Sequence, residues 1–204
     1  MEPPPGEDAD EVLVAKCQQG DFSAFEIIYE RYRRPILAYI YQITRNYDES
    51  ACIGQDVFMR VFEHVGRFDI TRRFSTWLYT IARNASIDYL QSRSRKVMIG
   101  FTDLDRDDES GSIAANAAAP GSSVETKLSR AESNKLLASA LVELPQIYRE
   151  IIELVIFQEL SYEDASAILG GMSLGTLRSR MFHALRRLRQ ILNASGGEDG
   201  ENLI

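Results

Sequence analysis

The sequence predicts an all-α protein of two small helical modules joined by a flexible acidic linker, and three observations carry that prediction. Apolar residues recur at three- and four-residue intervals through two long segments, the spacing that gathers them on one helix face. Helix-start and helix-stop residues punctuate both segments. Between them lies a stretch too acidic, too rich in small residues and too poor in aromatics to bury itself. A 45% hydrophobic content in 204 residues suffices for globular cores. The divisions read as a disordered lead over 1–9, a first domain over 10–97, the linker over 98–123, a second domain over 124–193 and an acidic tail over 194–204.

The first helical period opens at Asp10 with Val12, Leu13 and Ala15, and stops at Gly20. Asp21 then caps a longer helix carrying Phe22, Phe25, Ile28, Tyr29, Tyr32, Ile36, Leu37, Ile40, Tyr41 and Ile43. Core packing is the expected duty of these side chains, and Pro35 is expected to bend or break the helix near Arg33. Asn46 to Ser50 interrupts the period, which resumes from Ala51 to Val65 with Ile53, Val57, Phe58, Val61, Phe62 and Val65 as the apolar stripe. Gly66 to Arg73 reads as a loop, with Ser75 or Thr76 available to cap the succeeding helix. That helix, Phe74 to Lys96, organises the module. Phe74, Trp77, Leu78, Ile81 and Ala85 face the core; Thr76, Arg83, Asn84, Asp88, Gln91 and Ser92 fall largely opposite. It runs into Arg93, Arg95 and Lys96 with no acid nearby, which suits a helix C-terminus and a polyanion alike.

In the second module Leu128, Ala131, Leu136, Leu137, Ala140, Leu141 and Leu144 pattern one helix. Pro145 starts the next, with Tyr148, Ile151, Ile152, Leu154, Val155 and Phe157 on its apolar side. Ser161 caps a short helix, with Asp164 three residues on as an imperfect capping box. Gly170-Gly171 turns the chain, and Ser173 caps a last helix through Leu174, Leu177, Met181, Ala184, Leu185, Leu188 and Ile191. A short helix, a glycine turn and a longer helix rich in arginine make a helix-turn-helix by composition.

Charge is distributed unevenly. The net charge of -7 argues against a simple basic nucleic-acid binder, yet between Ala165 and Gly197 there is no acid, while Arg178, Arg180, Arg186, Arg187 and Arg189 are present. Cys17 and Cys52 are too few for a disulfide scaffold, and the isolated His64 and His183 suggest no metal cluster. No apolar run approaches the roughly 18–20 residues that span a bilayer, and the acidic, proline-rich start is no signal peptide. A cytoplasmic protein without cofactor, metal or membrane insertion is expected. No Gly-rich phosphate loop or partnered nucleophile points to an enzyme.

The wording of four segments resembles the extracytoplasmic-function (ECF) group of bacterial sigma factors. GDFSAFEIIYERYRRPILAYIYQIT is similar to the first helices of that group's promoter-melting module, and TWLYTIARNASIDYL to its promoter-reading helix. QDVFMRVFEHVGRF resembles the helix that meets the clamp of core RNA polymerase, so the resemblance implies Gln55, Asp56, Met59, Arg60 and Glu63 as polymerase contacts. Ala51 and Cys52 stand where the family usually carries acids, and Gly54 where helix formers are preferred. For the minus-ten element it implies a loop capturing an unstacked base, lined by residues from Arg67 to Arg73 including Arg72. Arg83, Asn84, Asp88 and Gln91 would add phosphate and base contacts, on the aromatic-basic helix that carries Trp77, Arg93 and Arg95.

LVELPQIYREIIELVIFQELSYEDASAILGGMSLGTLRSRMFHALRRLRQ looks like the family's minus-thirty-five module. Ser173, Thr176, Arg178, Ser179 and Arg180 are then expected at the groove, with His183, Arg186 and Arg187 towards backbone. Arg178 or Arg180 is the expected reader of guanine. Gly170-Gly171-Met172 is one residue longer than the usual turn, which would rotate or tilt the helix. The linker, extended, reaches towards about 100 Å, more than the roughly 70 Å of two DNA turns. Its acids, Asp103 to Glu109, either tether passively or occupy a nucleic-acid path in polymerase.

The implied function is a promoter-specificity subunit, monomeric when free, whose partners are core RNA polymerase, promoter DNA as duplex and melted strand, and an anti-sigma factor. Promoter binding should be weak alone and strong once the polymerase spreads the modules. Two other readings stand beside it: an imitator that titrates away an anti-sigma protein, and a conventional helix-turn-helix regulator. The latter would leave the Trp77 helix without a purpose.

Overall fold

A computed structural model describes residues 8–99 and 134–194, with side chains described only to 94 in the first stretch. Residues 1–7 of the lead, almost all of the linker, Leu128, Ala131, the tail beyond Ala194 and the side chains of Arg95 and Lys96 lie outside the described residues. Every regular element among those described is helical.

The first module holds α1 (Asp10–Gln18), α2 (Phe22–Thr44), α3 (Tyr47–His64), a 3-10 turn (Val65–Arg67) and α4 (Phe74–Ile99). Gly20 turns the chain at a φ of 92°, a backbone conformation that a side chain would resist, and Asp21 caps α2 by accepting from the Ser23 N–H at 3.0 Å. Pro35 does not break α2, which is continuous on both sides of it. Asn46 caps α3 by accepting from the Glu49 N–H at 3.1 Å, so that helix starts at Tyr47 rather than after Ser50. The polar opening turn hides this start, since Asp48 and Glu49 suit the positive end of the helix dipole without adding to the apolar stripe. Helix α4 begins at Phe74, ahead of both Ser75 and Thr76, and its first N–H donates to Glu11 Oε1 at 3.0 Å. A carboxylate brought from α1 therefore takes the part expected of a local hydroxyl.

The core of this module is built from Leu13, Val14, Ile28, Ile36, Ile40, Val57, Val61, Phe74 and Leu78, all buried. Four apolar residues depart from expectation. Val12 points outward while Val14 points in, and Phe22 and Phe62 remain 69% and 45% exposed, stacked on each other at 5.8 Å. Tyr29 is also exposed, its ring edge-on to Phe58. An apolar stripe on a helix is wider than the one face its neighbours can cover, and these rings sit at its outer margin.

The second module comprises α5 (134–142), α6 (Gln146–Ile152), a π-helical turn (Glu153–Phe157), α7 (Tyr162–Ile168) and α8 (Leu174–Ala194). Pro145 precedes α6 as its cap residue. The π-turn widens the helix so that Gln158 N–H reaches back to Glu153 O at 2.9 Å, and it leaves Phe157 exposed instead of on the apolar side. The Ser161–Asp164 box forms, the Asp164 N–H donating to Ser161 Oγ at 3.0 Å and that hydroxyl donating to Asp164 Oδ2 at 2.6 Å. Gly170 and Gly171 both take positive φ, 85° and 77°, and Gly171 N–H closes α7 on Ser166 O at 2.8 Å. Ser173 caps α8 through the Thr176 N–H at 3.1 Å.

The two modules pack on each other, α7 against α4 and α6 against α2. Tyr79, Ala82 and Ser86 of α4 are buried too, and Tyr79 reaches the second module with its hydroxyl. Among the described residues, no helix is long and apolar enough to cross a membrane.

Candidate nucleic-acid and polymerase interfaces

Three surfaces collect the residues singled out by sequence. The first is the loop between α3 and α4 with the adjoining face of α4. Phe68 turns inward, its ring 4.9 Å from Trp77 and edge-on to Phe74 at 5.8 Å, which makes Trp77 a half-buried support rather than a free platform. Asp69 Oδ1 accepts from both the N–H and the hydroxyl of Thr71, at 3.0 and 2.7 Å, and these bonds hold its carboxyl below the usual carboxylate range. Arg67, Arg72 and Arg73 project from the rim, Arg72 pairing with Asp69 at 3.5 Å. Asn84, Asp88, Gln91 and Arg93 are exposed further along α4.

Part of this surface meets the second module. Arg73 Nη1 and the Thr76 hydroxyl donate to the two oxygens of Asp164, at 3.2 and 2.8 Å. Arg83 Nε donates to Glu150 Oε2 at 2.8 Å, and Glu150 is 2% exposed. Sequence reasoning found these donors but missed their partners, which lie 67 to 91 residues away with no local signal to announce them.

The rest of the seam is polar as well. Tyr79 OH donates to Gln158 Oε1 at 2.6 Å, and Gln158 Nε2 donates to Glu153 Oε1 at 2.9 Å. Burial pushes the Glu153 carboxyl up to about 6, opposed by that hydrogen bond. Arg149 donates to Gln42 O near the end of α2 at 3.0 Å and, on its own side, to Val142 O and Leu144 O. Burial lowers the Arg149 pKa from its ordinary value. Beside Tyr79, the Tyr39 hydroxyl is buried with no hydrogen-bond partner, which costs about 1–3 kcal/mol. This seam is well connected but carries an unmet hydroxyl and a buried acid.

The second surface is the outer face of α8 behind the glycine turn. Ser173, Thr176, Arg178, Ser179, His183, Arg186 and Arg187 are exposed there, while Arg180 is half-buried against Met172. The Arg178 guanidinium stands over the Tyr162 ring at 5.7 Å, while the residue remains exposed. Phe182, 63% exposed in the middle of this face, went unnoticed by sequence because its neighbours drew attention as charges.

The third surface is the outer side of α3. Gln55, Asp56, Met59, Arg60 and Glu63 are all exposed on it, Met59 at 60%. Phe62 of α3, with Phe22 and Tyr29 of α2, continues it, so an apolar strip borders the polar residues that sequence had named.

An all-α chain with a capped helix-turn-helix, an exposed acid-free recognition helix and a second arginine-edged loop defines a two-module DNA-binding protein. Residues 28–96 match the family model of sigma-70 region 2, and residues 134–188 that of sigma-70 region 4. The chain is 30% identical over 166 residues to the ECF RNA polymerase sigma factor SigM of Bacillus subtilis, covering 81% of this chain and 93% of that one. It is 28% identical over 186 residues to the RNA polymerase sigma-H factor of Pseudomonas aeruginosa, covering 91% and 95%. Its fold matches that of the sigma factor RpoE from Bartonella quintana, solved in complex with the anti-sigma factor NepR, at a TM-score of 0.65 and 26% identity over 83% of this chain and 96% of that one. The chain belongs to the ECF group of RNA polymerase sigma factors.

Proposed function

We propose that this sigma factor acts in the cytoplasm, where it binds core RNA polymerase through α3 and the flanking aromatic strip. It then reads two promoter elements with its two modules. Gln55, Asp56, Met59, Arg60 and Glu63 supply the polar part of the polymerase contact, and Phe22 and Phe62 its apolar part. The loop from Arg67 to Arg73 receives an unstacked minus-ten base, while Arg83, Asn84, Asp88, Gln91, Arg93 and Arg95 hold the strand's phosphates and edges. Ser173, Thr176, Arg178 and Ser179 read the minus-thirty-five major groove; His183, Arg186 and Arg187 bind its phosphates. Arg178 takes the guanine-reading role ahead of Arg180, since Arg180 is half-buried against Met172.

The observation that carries this reading is the pairing of Arg73, Thr76 and Arg83 with carboxylates of the second module. Acids there occupy donors that a DNA phosphate would otherwise take, so the packed form is closed to the promoter and has to open on the polymerase. An anti-sigma factor, the kind of partner with which RpoE of Bartonella quintana was solved, would act by holding the chain off the polymerase. Adding the protein to core polymerase with a promoter template tests the whole: accurate transcripts support it, and silence overturns it.

A further inference from the structure

Helix α1 lies outside both family-model matches, the first of which begins at residue 28, and no role in reading DNA has been assigned to it. Its side chains nonetheless hold both ends of the loop between α3 and α4. Gln18 Nε2 donates to Val65 O at 3.0 Å and to Phe68 O at 2.8 Å, so the two hydrogens of one amide are shared between two loop carbonyls. At the far end, Glu11 Oε1 accepts the Phe74 N–H at 3.0 Å. The helix is itself anchored, since Asp10 accepts from both Arg31 and Tyr32 of α2 and Leu13 and Val14 are buried beneath it.

We infer that α1 is the positioning element of the base-receiving loop, with Gln18 and Glu11 setting the loop's shape before DNA arrives. The inference rests on the reading of that loop as a pocket for an unstacked base. Phe68 is the link between the two. Its N–H donates to Val65 O at 3.1 Å, its carbonyl accepts from Gln18, and its ring packs against Trp77 and edge-on to Phe74. With that residue fixed, the adjoining turn, closed by Arg72 N–H on Asp69 O at 3.0 Å, projects Asp69 to Arg73 in one arrangement. A pocket that discriminates among bases needs its groups held before binding; a loop free to rearrange gives up affinity for the correct base first. Gln18 itself is exposed and Glu11 only half-buried, so neither is needed to fill the core.

Conservative variants separate positioning from bulk. Gln18→Met keeps the stem and loses both donors, Gln18→Glu sets a carboxylate against two carbonyl oxygens, Glu11→Ala removes the acceptor and Glu11→Gln retains one. Each full-length variant is assembled with core polymerase and titrated with two single-stranded oligonucleotides: one bearing the minus-ten sequence of a promoter selected with the unaltered holoenzyme, and a scrambled one. The ratio of the two affinities is the readout, alongside core affinity and the melting temperature. The expected result is a ratio lowered about five- to tenfold by Gln18→Met, Gln18→Glu and Glu11→Ala, restored in Glu11→Gln, with core affinity unchanged. Phe68→Ala and Arg67→Ala serve as loop controls. If these lower the ratio while the Gln18 and Glu11 variants leave it intact, the positioning role is overturned and the loop reading stands. If none of the variants moves the ratio, both fall together.

Discussion

Arg83 Nε donates to Glu150 Oε2 across 2.8 Å, joining α4 of the first module to α6 of the second in a pair whose acid is buried. Glu150 Oε1 is taken by Gln146 Nε2, also at 2.8 Å, so both oxygens of the carboxylate are occupied. Removing one partner of such a pair leaves an uncompensated charge and costs about 3–5 kcal/mol. Glu150→Ala should therefore loosen the packing of the modules, seen as a larger radius of gyration in small-angle scattering of the free protein. Promoter binding by the holoenzyme should stay within about twofold. Arg83→Ala should loosen the modules equally but weaken promoter binding as well. An unchanged radius in both variants would contradict the closed arrangement.

Glu153 gives the seam a pH dependence whose sign is set by its environment. Burial raises its folded-state pKa to about 6 from the ordinary value of 4.5, so the folded chain holds the proton more tightly than the unfolded chain does. The resulting stability is fully present below the unfolded value and is lost as pH rises through about 6, a difference of roughly 2 kcal/mol. Glu153→Gln retains an acceptor for Gln158 Nε2 and has no charge to bury. Its melting temperature should exceed that of the parent at pH 7.5, and the gap should close at pH 4.5. Equal melting temperatures at both pH values would rule out a titrating role for Glu153.

On α8, Arg178 and Arg186 are assigned different duties and should fail differently. Arg178→Ala should cost the holoenzyme about 1–3 kcal/mol on its preferred minus-thirty-five sequence and relax the preference at one position. Arg186→Ala should weaken binding uniformly across sequences and flatten its salt dependence. Affinities measured on a panel of single-base variants at two salt concentrations distinguish the two patterns, and identical profiles would undo the assignment.

Met59 and Phe62 stand exposed on the face assigned to the polymerase. Met59→Asp or Phe62→Asp should reduce core affinity at least tenfold, since a buried interface anchor is worth about 2 kcal/mol or more. Their thermal stability should change little, because neither side chain fills the core. Competition against a labelled parent for core polymerase reads this out; loss of stability with retained affinity would reverse the interpretation.

What the sequence disclosed depended on how local the signal was. Ser161 with Asp164, Ser173 with Thr176, and Gly170-Gly171 act within a few residues, and these together with the arginines of α8 make the helix-turn-helix legible. The early start of α3 was hidden because Asn46 caps a polar first turn that adds nothing to the apolar period. Periodicity also assigned Phe22, Tyr29 and Phe62 to the core, because it identifies an apolar face without saying whether this chain or a partner covers it. Glu11 on Phe74 and Glu150 on Arg83 link residues 63 and 67 positions apart, and the donor alone, read as a cation on a helix, does not name its acceptor.

The central proposal is that two helical modules must part on the polymerase before they can grip a promoter. Fluorophores on α3 and α8 of the full-length protein measure this directly by energy transfer, first free, then with core polymerase, then with core and promoter. The expected result is high transfer in the free chain, a marked fall on adding core, and start-site-specific transcripts from that same open complex. High transfer maintained in a complex that transcribes accurately would contradict it.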